Sequence, residues 1–409
     1  MKERKNSMKY DFTSILDRKG KDAVAIDAVG APGSHYPAPR AGFDVIPMWI
    51  ADMNFPVVPT IQQAMIQRAQ HPVFGYFDPP QAYYDAIIRW QKTHNGVEDL
   101  KPEHIGYENG VLGGVVSALN VMCSKGDKVL VHSPTYVGFT HSLENNGYEI
   151  VHSPLRQDEN GIWRMDFSDM EEKLKAHIIH CAIFCSPHNP TGRGGEKWEV
   201  EQAMALYQKY DCFVISDEIW SDILRVGINH IPTQSVSEDA KMRTVALYAP
   251  SKTFNLAGLV GSYHIIYNTW LKDRIDKESS LSHYNSMNVM SMHALLGAYQ
   301  PEGYEWVEEL RQTITGNVDF ACEYIKKRFD GVKVSKPQGT YMLFLDCAGW
   351  LEKTGKTMDE LLKAGWDVGV IWQDGRAFHG QTHIRMNLAL PLSRVREAFE
   401  RLDKYVFNA

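Results

Sequence analysis

The stretch IHCAIFCSPHNPTG, residues 179–192, joins an apolar run to a loop of turn-forming residues. An apolar run without a polar face is typical of a strand in a parallel sheet that helices cover on both sides. The second half, with the sequence Asn189-Pro190-Thr191-Gly192, favours a tight turn. Because ligands bind at the carboxyl ends of strands in open α/β sheets, this turn predicts one wall of a ligand site.

Similar apolar runs recur on both sides of this stretch and predict further buried strands. Helical periodicity lies between them, for example at residues 111–122 and 196–210, and right-handed crossovers place such helices on both faces of a sheet. The alternation of the two patterns predicts an α/β fold. The predicted strands are residues 128–132, 148–152, 179–185, 212–217, 244–248 and 261–266.

The pattern changes after about residue 285. A long helical stretch, residues 301–329, is followed by shorter strands and by a terminal helix at 393–406. Since domains rarely grow beyond ~250 residues, a chain of 409 residues predicts two of them. We expect a large domain at 46–285, with a mainly parallel sheet between helices, and a smaller α+β domain built from 1–45 and 286–409.

Composition and charge narrow the classes of partner. A net charge of -7 gives no broad positive field, so we expect a small-molecule partner and neither nucleic acid nor a membrane surface. The apolar runs are far shorter than the ~20 residues of a membrane helix, and residues 1–14 lack the apolar stretch of a signal peptide. These features predict a cytoplasmic protein. Six cysteines are too sparse for a disulfide framework, and no metal site is expected.

Two more polar clusters follow predicted strands. Asp217 ends the strand 212–217, and Ser251-Lys252 comes shortly after the strand 244–248. Taken singly, each feature has an ordinary explanation: Asn-Pro-Thr-Gly is a good turn, an aspartate caps a helix, and most lysines are solvated. Their order and separation favour one shared site. The series resembles the fold-type I pyridoxal-5′-phosphate (PLP) enzymes, the class I/II aminotransferase superfamily.

The resemblance implies a role for each of these residues. Lys252 would hold the cofactor aldehyde as an imine, and would act as a base once an amino-acid substrate displaces it. Asp217 would keep the pyridine nitrogen protonated, so that the ring accepts electrons when the Cα proton leaves. Asn189 would hydrogen-bond the ring oxygen and contact the substrate. Tyr136, whose alternative is a core aromatic residue at a strand end, would stack on the ring and assist catalysis.

Further residues match positions that hold the cofactor phosphate and the substrate. Gly110, Val111 and Leu112 open a predicted helix, and the free N–H groups of a helix start bind anions, although a glycine-rich start is more often a simple turn. Ser251 would add a hydroxyl group. Arg385 would bind the substrate α-carboxylate, because arginine offers a planar pair of donors; its alternative is a surface ion pair.

Two segments resemble a narrower group. The sequences IPMWIADMNF at 46–55 and APSKTFN at 249–255 are similar to those of the MalY/PatB type, the cystathionine and cysteine-S-conjugate β-lyases. In that family Ala51 lies on the segment that faces the substrate carboxylate. Tyr76 matches a tyrosine that reaches the cofactor phosphate of the neighbouring subunit. The resemblance therefore implies a homodimer with its active site at the subunit interface.

Several positions depart from the pattern of the superfamily. Ala249 and Val260 stand where aminotransferases carry a serine and an arginine that bind the phosphate. Trp220 stands where they have tyrosine and where the lyases have histidine, although its indole N–H can also donate to the cofactor. Asn54 replaces an aspartate, and residues 390–392 replace a Cys-Pro-Arg sequence. These differences indicate a specificity that has diverged.

The resemblance implies a PLP-dependent carbon–sulfur β-lyase that converts cystathionine or another S-substituted cysteine into pyruvate, ammonia and a thiol. Lys252 would remove the Cα proton, and the thiolate on Cβ would depart. An aminotransferase that acts on an amino acid and a 2-oxo acid is the first alternative, and the motifs do not separate the two. A PLP-binding regulatory protein that acts through a partner is the second, although the sequence has no separate interaction module.

Overall fold

The protein is described by a computed structural model that covers residues 8–281 and 285–408. Residues 1–7, half of the segment in which no signal peptide is expected, and residues 282–284, next to the predicted domain boundary, lie outside the described residues, as does residue 409. The strands are β1 Ile46–Pro47, β2 Ile105–Asn109, β3 Lys128–Ser133, β4 Glu149–Pro154, β5 Arg156–Gln157, β6 Trp163–Arg164, β7 Cys181–Cys185, β8 Phe213–Asp217, β9 Thr244–Tyr248, β10 Gly261–Ile265, β11 Lys333–Val334, β12 Met342–Asp346, β13 Val370–Ile371, β14 Gln373–Asp374 and β15 His383–Asn387.

Helices separate most of these strands, as the sequence periodicity predicts. The helices are α1 Val24–Asp27, α2 Pro59–Ala69, α3 Gln81–Asn95, α4 Val111–Met122, α5 Val137–Asn145, α6 Phe167–Ala176, α7 Lys197–Lys209, α8 Glu238–Arg243, α9 Pro250–Thr253, α10 Thr269–Ser280, α11 Val289–Ala298, α12 Pro301–Arg328, α13 Ala348–Thr354, α14 Met358–Asp367 and α15 Leu392–Leu402. None of the helices in the described ranges is long and apolar enough to cross a membrane.

A seven-stranded sheet lies at the centre, in the order β2-β10-β9-β8-β7-β3-β4. The neighbouring strands from β9 to β4 are parallel, whereas β10 pairs antiparallel with both β9 and β2. The predicted α/β fold with a mainly parallel sheet is confirmed, and each predicted strand overlaps an observed one. The reversed β10 did not follow from the apolar pattern, because its connection from β9 contains only the single turn α9 and a short 3-10 turn.

Both faces of this sheet are covered, which explains why its strands have no polar face. Val129 and Val131 of β3 pack into a core with helices α4, α5 and α10. Leu130, between them, packs on the opposite face with α6 and α7. Successive side chains of a strand point to opposite faces, so a strand between two helical layers must be apolar at every position.

The strand register brings the carboxyl ends of β7, β8 and β9 side by side. Cys185 at the end of β7 pairs with Asp217 at the end of β8, and Asp217 pairs with Leu247 of β9. Asn189 lies in the loop after β7, Asp217 is the last residue of β8, and Lys252 lies in the short helix after β9. Three separate parts of the sequence therefore meet at one edge of the sheet.

A second, antiparallel sheet has the order β11-β12-β15-β14. Arg385 in its β15 strand lies opposite Phe344 on one side and Gln373 on the other. The short strand β1 pairs with β13, so the segment at 46–47 is joined to the later part of the chain. One continuous apolar core contains residues of both sheets, among them Tyr248 of β9 and Met386 of β15. The division into a large domain at 46–285 and a small domain at 1–45 and 286–409 remains a prediction.

Candidate active site

A cavity opens at the carboxyl ends of β7, β8 and β9, where the predicted site residues converge. Ten of the twelve predicted site residues line it; Arg385 lies just behind its wall, and Tyr76 lies elsewhere. The side chains and backbone that line the cavity belong to Ala51, Asn109, Gly110, Val111, Leu112, Gly113, Tyr136, Cys185, Asn189, Asp217, Ile219, Trp220, Ser251, Lys252, Ala257, Val260 and Gly261.

Asp217 is a buried carboxyl group at the end of β8. Burial raises its pKa from the ordinary value to about 7, although the backbone N–H of Ile219 donates to Oδ1 at 3.0 Å and Lys252 lies near enough to oppose the rise. A buried carboxylate without a cationic partner is costly. Asp217 can therefore take up a proton, or accept a hydrogen bond from a protonated ring nitrogen.

Lys252 lies in the short helix α9, directly after β9. Burial of the amine, assisted by the positive charge of Arg385, lowers its pKa to about 8. Nζ donates to the carbonyl oxygen of Ala51 at 2.9 Å and lies 5.8 Å from the ring centre of Trp220. A lysine whose pKa is close to neutrality has a substantial neutral fraction, which is the form that attacks an aldehyde or removes a proton.

The turn from β2 into α4 also lines the cavity. Gly110 has a left-handed φ of 78°, which lets the chain enter the helix abruptly. The N–H groups of the first helical turn, at Val111, Leu112 and Gly113, have no acceptor within the helix and suit a phosphate. Ser251 also lines the cavity.

The predicted loss of the usual phosphate arginine has a structural counterpart. Val260 lines the cavity in a left-handed conformation, with φ of 59°, and its side chain is half exposed. Of the lining residues in the described ranges, Lys252 is the one cation. Backbone donors, and not a local arginine, are the anion-binding groups that the described residues provide here.

Tyr136 covers one side of the cavity at the start of α5. Its ring packs edge-on against Phe139, at 5.4 Å between ring centres. A β-carbon at position 138 would lie 2.4 Å from the Tyr136 ring, so the glycine found there is what leaves room for this ring. Tyr136 is thereby held at the end of β3 with its ring at the cavity.

Arg385 reaches the site from the second sheet. One guanidinium nitrogen donates to Asn189 Oδ1 at 3.0 Å, and another donates to the carbonyl oxygen of Trp49 at 3.1 Å. Burial lowers the pKa of Arg385 to about 10, so the group stays protonated at neutral pH. It is 3% exposed, and its hydrogen-bond acceptors among the described residues are neutral: the side-chain oxygens of Asn189 and Gln373 and the Trp49 carbonyl. The alternative of a surface ion pair is therefore wrong.

Trp220, at one of the positions that depart from the superfamily pattern, forms a buried wall. Its ring meets that of Tyr341 edge-on at 4.7 Å, and Tyr341 donates to the same Ala51 carbonyl that accepts from Lys252. Asn387 holds the carbonyl groups of Ile50 and Asp52 on either side. Tyr341 and Asn387 could not be predicted from the sequence, since both act on backbone groups of a segment more than 280 residues away.

Tyr76 lies outside this cavity, in the loop between α2 and α3. Its side chain is 110% exposed, and Val73 and Phe74 beside it are also exposed. Three apolar or aromatic side chains are therefore exposed on one short loop, although the Arg68 guanidinium lies 4.8 Å from the ring centre of Phe74. Nothing within the described part of its own chain brings Tyr76 to the phosphate end of the cavity.

Comparison with known proteins agrees with this geometry. The sequence profile described as "Aminotransferase class I and II" matches residues 44–402. Cystathionine beta-lyase PatB of Bacillus subtilis (strain 168) is 32% identical over 361 residues, which are 88% of this chain and 92% of PatB. Protein MalY of Escherichia coli (strain K12) is 28% identical and covers 94% of this chain and 96% of its own. The PLP-bound C-S lyase of Staphylococcus hominis superposes with a TM-score of 0.87 at 27% identity, covering 98% of this chain and 99% of that chain.

Proposed function

The chain belongs to the class I and II aminotransferase family, and we infer that it is a PLP-dependent carbon–sulfur β-lyase. Its substrate is cystathionine or another S-substituted cysteine, and its products are pyruvate, ammonia and a thiol. Relatives named for this activity match nearly the whole chain. The observation in the structure that carries the inference is that Lys252 and Asp217 line one cavity, with Arg385 bonded to Asn189 at its wall.

The groups around the cavity fit PLP. An amine, a buried carboxyl group, an aromatic ring and a helix N-terminus face one space, at Lys252, Asp217, Tyr136 and residues 110–112. These match the aldehyde, the ring nitrogen, the ring face and the phosphate of the cofactor in turn. When bound, PLP supplies an electron sink that makes the Cα proton of an amino-acid substrate acidic.

The substrate is held through its α-carboxylate. Arg385 is the buried cation that suits this role. Its guanidinium is oriented by hydrogen bonds to Asn189 and Trp49, and it offers further N–H groups. The Arg385 Nε has no partner among the described residues, as expected of a donor that awaits an anion. Binding there places the substrate Cα near Lys252, whose pKa is lowered partly by Arg385 itself.

Lys252 then moves the proton. Its neutral Nζ takes the proton from the substrate Cα, the Cβ–S bond breaks, and the thiolate leaves with the bonding electron pair. The thiolate gains a proton, and water hydrolyses the remaining three-carbon fragment to pyruvate and ammonia. Asp217 would hold the ring nitrogen of bound PLP, and the positive charge of the protonated ring would offset the cost of burying this carboxylate.

We also propose that two chains form a homodimer with the active site at their interface. The exposed Tyr76, beside the exposed Phe74 and Val73, supports this proposal because a cluster of exposed apolar and aromatic side chains is typical of a protein interface. In the dimer, Tyr76 would reach the phosphate end of the neighbouring cavity. The cytoplasmic location expected from the sequence also stays a prediction.

Two parallel incubations separate the β-lyase from an aminotransferase. Purified protein is mixed with cystathionine in one, and with an amino acid plus 2-oxoglutarate in the other, and pyruvate, thiol and glutamate are measured. We expect pyruvate and thiol in the first and little glutamate in the second. Glutamate formation as the faster reaction would assign the chain to the aminotransferases instead. Absence of both reactions, with PLP bound, would favour the regulatory alternative.

A further inference from the structure

Two buried carboxylates follow Asp217 closely in the chain without lining the catalytic cavity. Glu218 is 0% exposed and Asp222 is 7% exposed. The reaction described above uses neither of them. Because a buried carboxylate is unfavourable unless it is hydrogen-bonded, the donors that surround these two groups indicate what they hold in place.

Both carboxylates accept hydrogen bonds from the segment that carries Lys252. The hydroxyl group of Tyr248 donates to Glu218 at 2.5 Å, and that of Thr253 donates to Asp222 at 2.8 Å. Tyr248 ends β9 four residues before Lys252, and Thr253 follows Lys252 directly. The segment after Asp217 is therefore hydrogen-bonded to the chain on both sides of Lys252, which we call the lysine turn.

Each carboxylate also accepts hydrogen bonds from donors outside the lysine turn. Glu218 also accepts from the hydroxyl group of Ser216 at 2.9 Å and from the backbone N–H of Thr233 at 3.1 Å, and His230 Nε2 lies 2.5 Å away. The indole N–H of Trp90 donates to Asp222 at 3.1 Å. Although burial opposes it, His230 and the hydrogen bonds hold the pKa of Glu218 below its ordinary value. Glu218 thus remains an acceptor for Tyr248 at neutral pH.

We propose that Glu218 and Asp222 are positioning residues that fix the distance between Lys252 and Asp217 through Tyr248 and Thr253. We call these four residues, Glu218, Asp222, Tyr248 and Thr253, the carboxylate clamp. The helix α9 has only four residues and provides little rigidity of its own. A displacement of about 1 Å between reacting groups can cost about 100-fold in rate, so an external brace of this turn has a catalytic consequence.

The test uses variants that keep the shape of each side chain. Glu218→Gln and Asp222→Asn remove the charge, while Tyr248→Phe and Thr253→Val remove the donors. Tyr248→Phe and Thr253→Val each remove one hydrogen bond, so we expect kcat to fall about threefold to tenfold in these two variants, with KM changed less than twofold. Glu218→Gln and Asp222→Asn weaken every bond that the carboxylate accepts, so kcat should fall at least as far. Thr253→Val combined with Asp222→Asn should fall no further than the more affected single variant, because both break the same bond.

A matched control is Tyr207→Phe. The Tyr207 hydroxyl is also buried and hydrogen-bonded, to His132 Nε2 at 3.1 Å, but it lies on the opposite face of the sheet from the lysine turn. This variant should keep the wild-type kcat. It therefore measures what the loss of any buried tyrosine hydroxyl does to the protein.

A second readout needs no turnover. The visible circular dichroism of the bound cofactor reports its orientation, and we expect a weaker signal and faster cofactor release in the clamp variants than in wild type and Tyr207→Phe. The proposal is overturned if kcat and the dichroism are unchanged while only the unfolding temperature falls. Should Glu218→Gln fail to fold, Thr253→Val and Asp222→Asn decide alone. The inference rests on the proposed function for its substrate, but a wild type that releases no pyruvate would refute that function and leave the dichroism test intact.

Discussion

Replacement of Arg385 by lysine tests how the site recognises its substrate. Lysine keeps the positive charge but loses the planar pair of donors that matches a carboxylate. It also has a single nitrogen in place of the two that donate to Asn189 Oδ1 at 3.0 Å and to the Trp49 carbonyl at 3.1 Å. We expect the Arg385→Lys variant to fold, because the site keeps a cation of similar length.

The expected magnitude follows from the bonds that are lost. A hydrogen bond to a charged group contributes about 1.5–3 kcal/mol, so losing one of the two bonds to the substrate carboxylate should lower kcat/KM about 10-fold to 100-fold. Most of the change should appear in KM, because the carboxylate is bound alike before and during proton transfer. Arg394→Lys is the control. Arg394 is also largely buried, but it lies in α15, outside the cavity, and pairs with Asp44 at 2.7 Å.

The assay compares an S-substituted cysteine with the corresponding amine that lacks the carboxylate. Steady-state rates give kcat and KM for the amino acid, and the change in cofactor absorbance gives the affinity for the amine. Arg385→Lys should bind the amine as well as the wild-type protein does. A KM within twofold of wild type, or an equal loss for the amine, would show that Arg385 does not bind the carboxylate.

Three further predictions concern the cofactor groups. Lys252→Ala should take up no cofactor that borohydride can fix to the protein, and an intact-mass measurement that still found a fixed cofactor would move the attachment elsewhere. Because burial raises the Asp217 pKa from 3.8 to about 7, its charge destabilises the cofactor-free protein increasingly as pH rises from 4 to 7, and fully above 7. In urea unfolding, Asp217→Asn should therefore add stability above pH 7, by about 4 kcal/mol at most, and little at pH 4; equal gains at both pH values would contradict this. Tyr76→Ala should weaken cofactor retention in dialysis without lowering the unfolding temperature of the cofactor-free protein, and unchanged retention would argue against a role across the interface.

The strands and the strand-end residues could be predicted because both are local features of the sequence. An apolar run such as residues 181–185 has to be covered on both faces, and the residues that directly follow it have to lie at the carboxyl edge of the sheet. Asn189, Asp217 and Lys252 meet for this reason. Their chemical roles are inferred from the resemblance to known enzymes. The structure adds that the three residues line one cavity and that the Asp217 side chain is buried.

The rest of the site depends on contacts between distant segments. The Ala51 carbonyl accepts from Lys252 and from Tyr341, which lie 201 and 290 residues away. No periodicity marks such contacts, because a backbone acceptor looks the same at every position of the sequence. The left-handed conformation of Val260 was equally hidden, since a β-branched residue is the least expected one at a φ of 59°. Tertiary packing, and not local preference, determines these features.

The most direct test of the β-lyase assignment is a time course with an S-substituted cysteine and no 2-oxo acid. A β-lyase regenerates its cofactor in every cycle, so thiol and pyruvate should appear in equal amounts over many turnovers. An aminotransferase would stop after about one equivalent of product per active site and resume only when a 2-oxo acid is added. Equal thiol and pyruvate far beyond one equivalent is the result that the β-lyase assignment predicts, and a halt at one equivalent would contradict it.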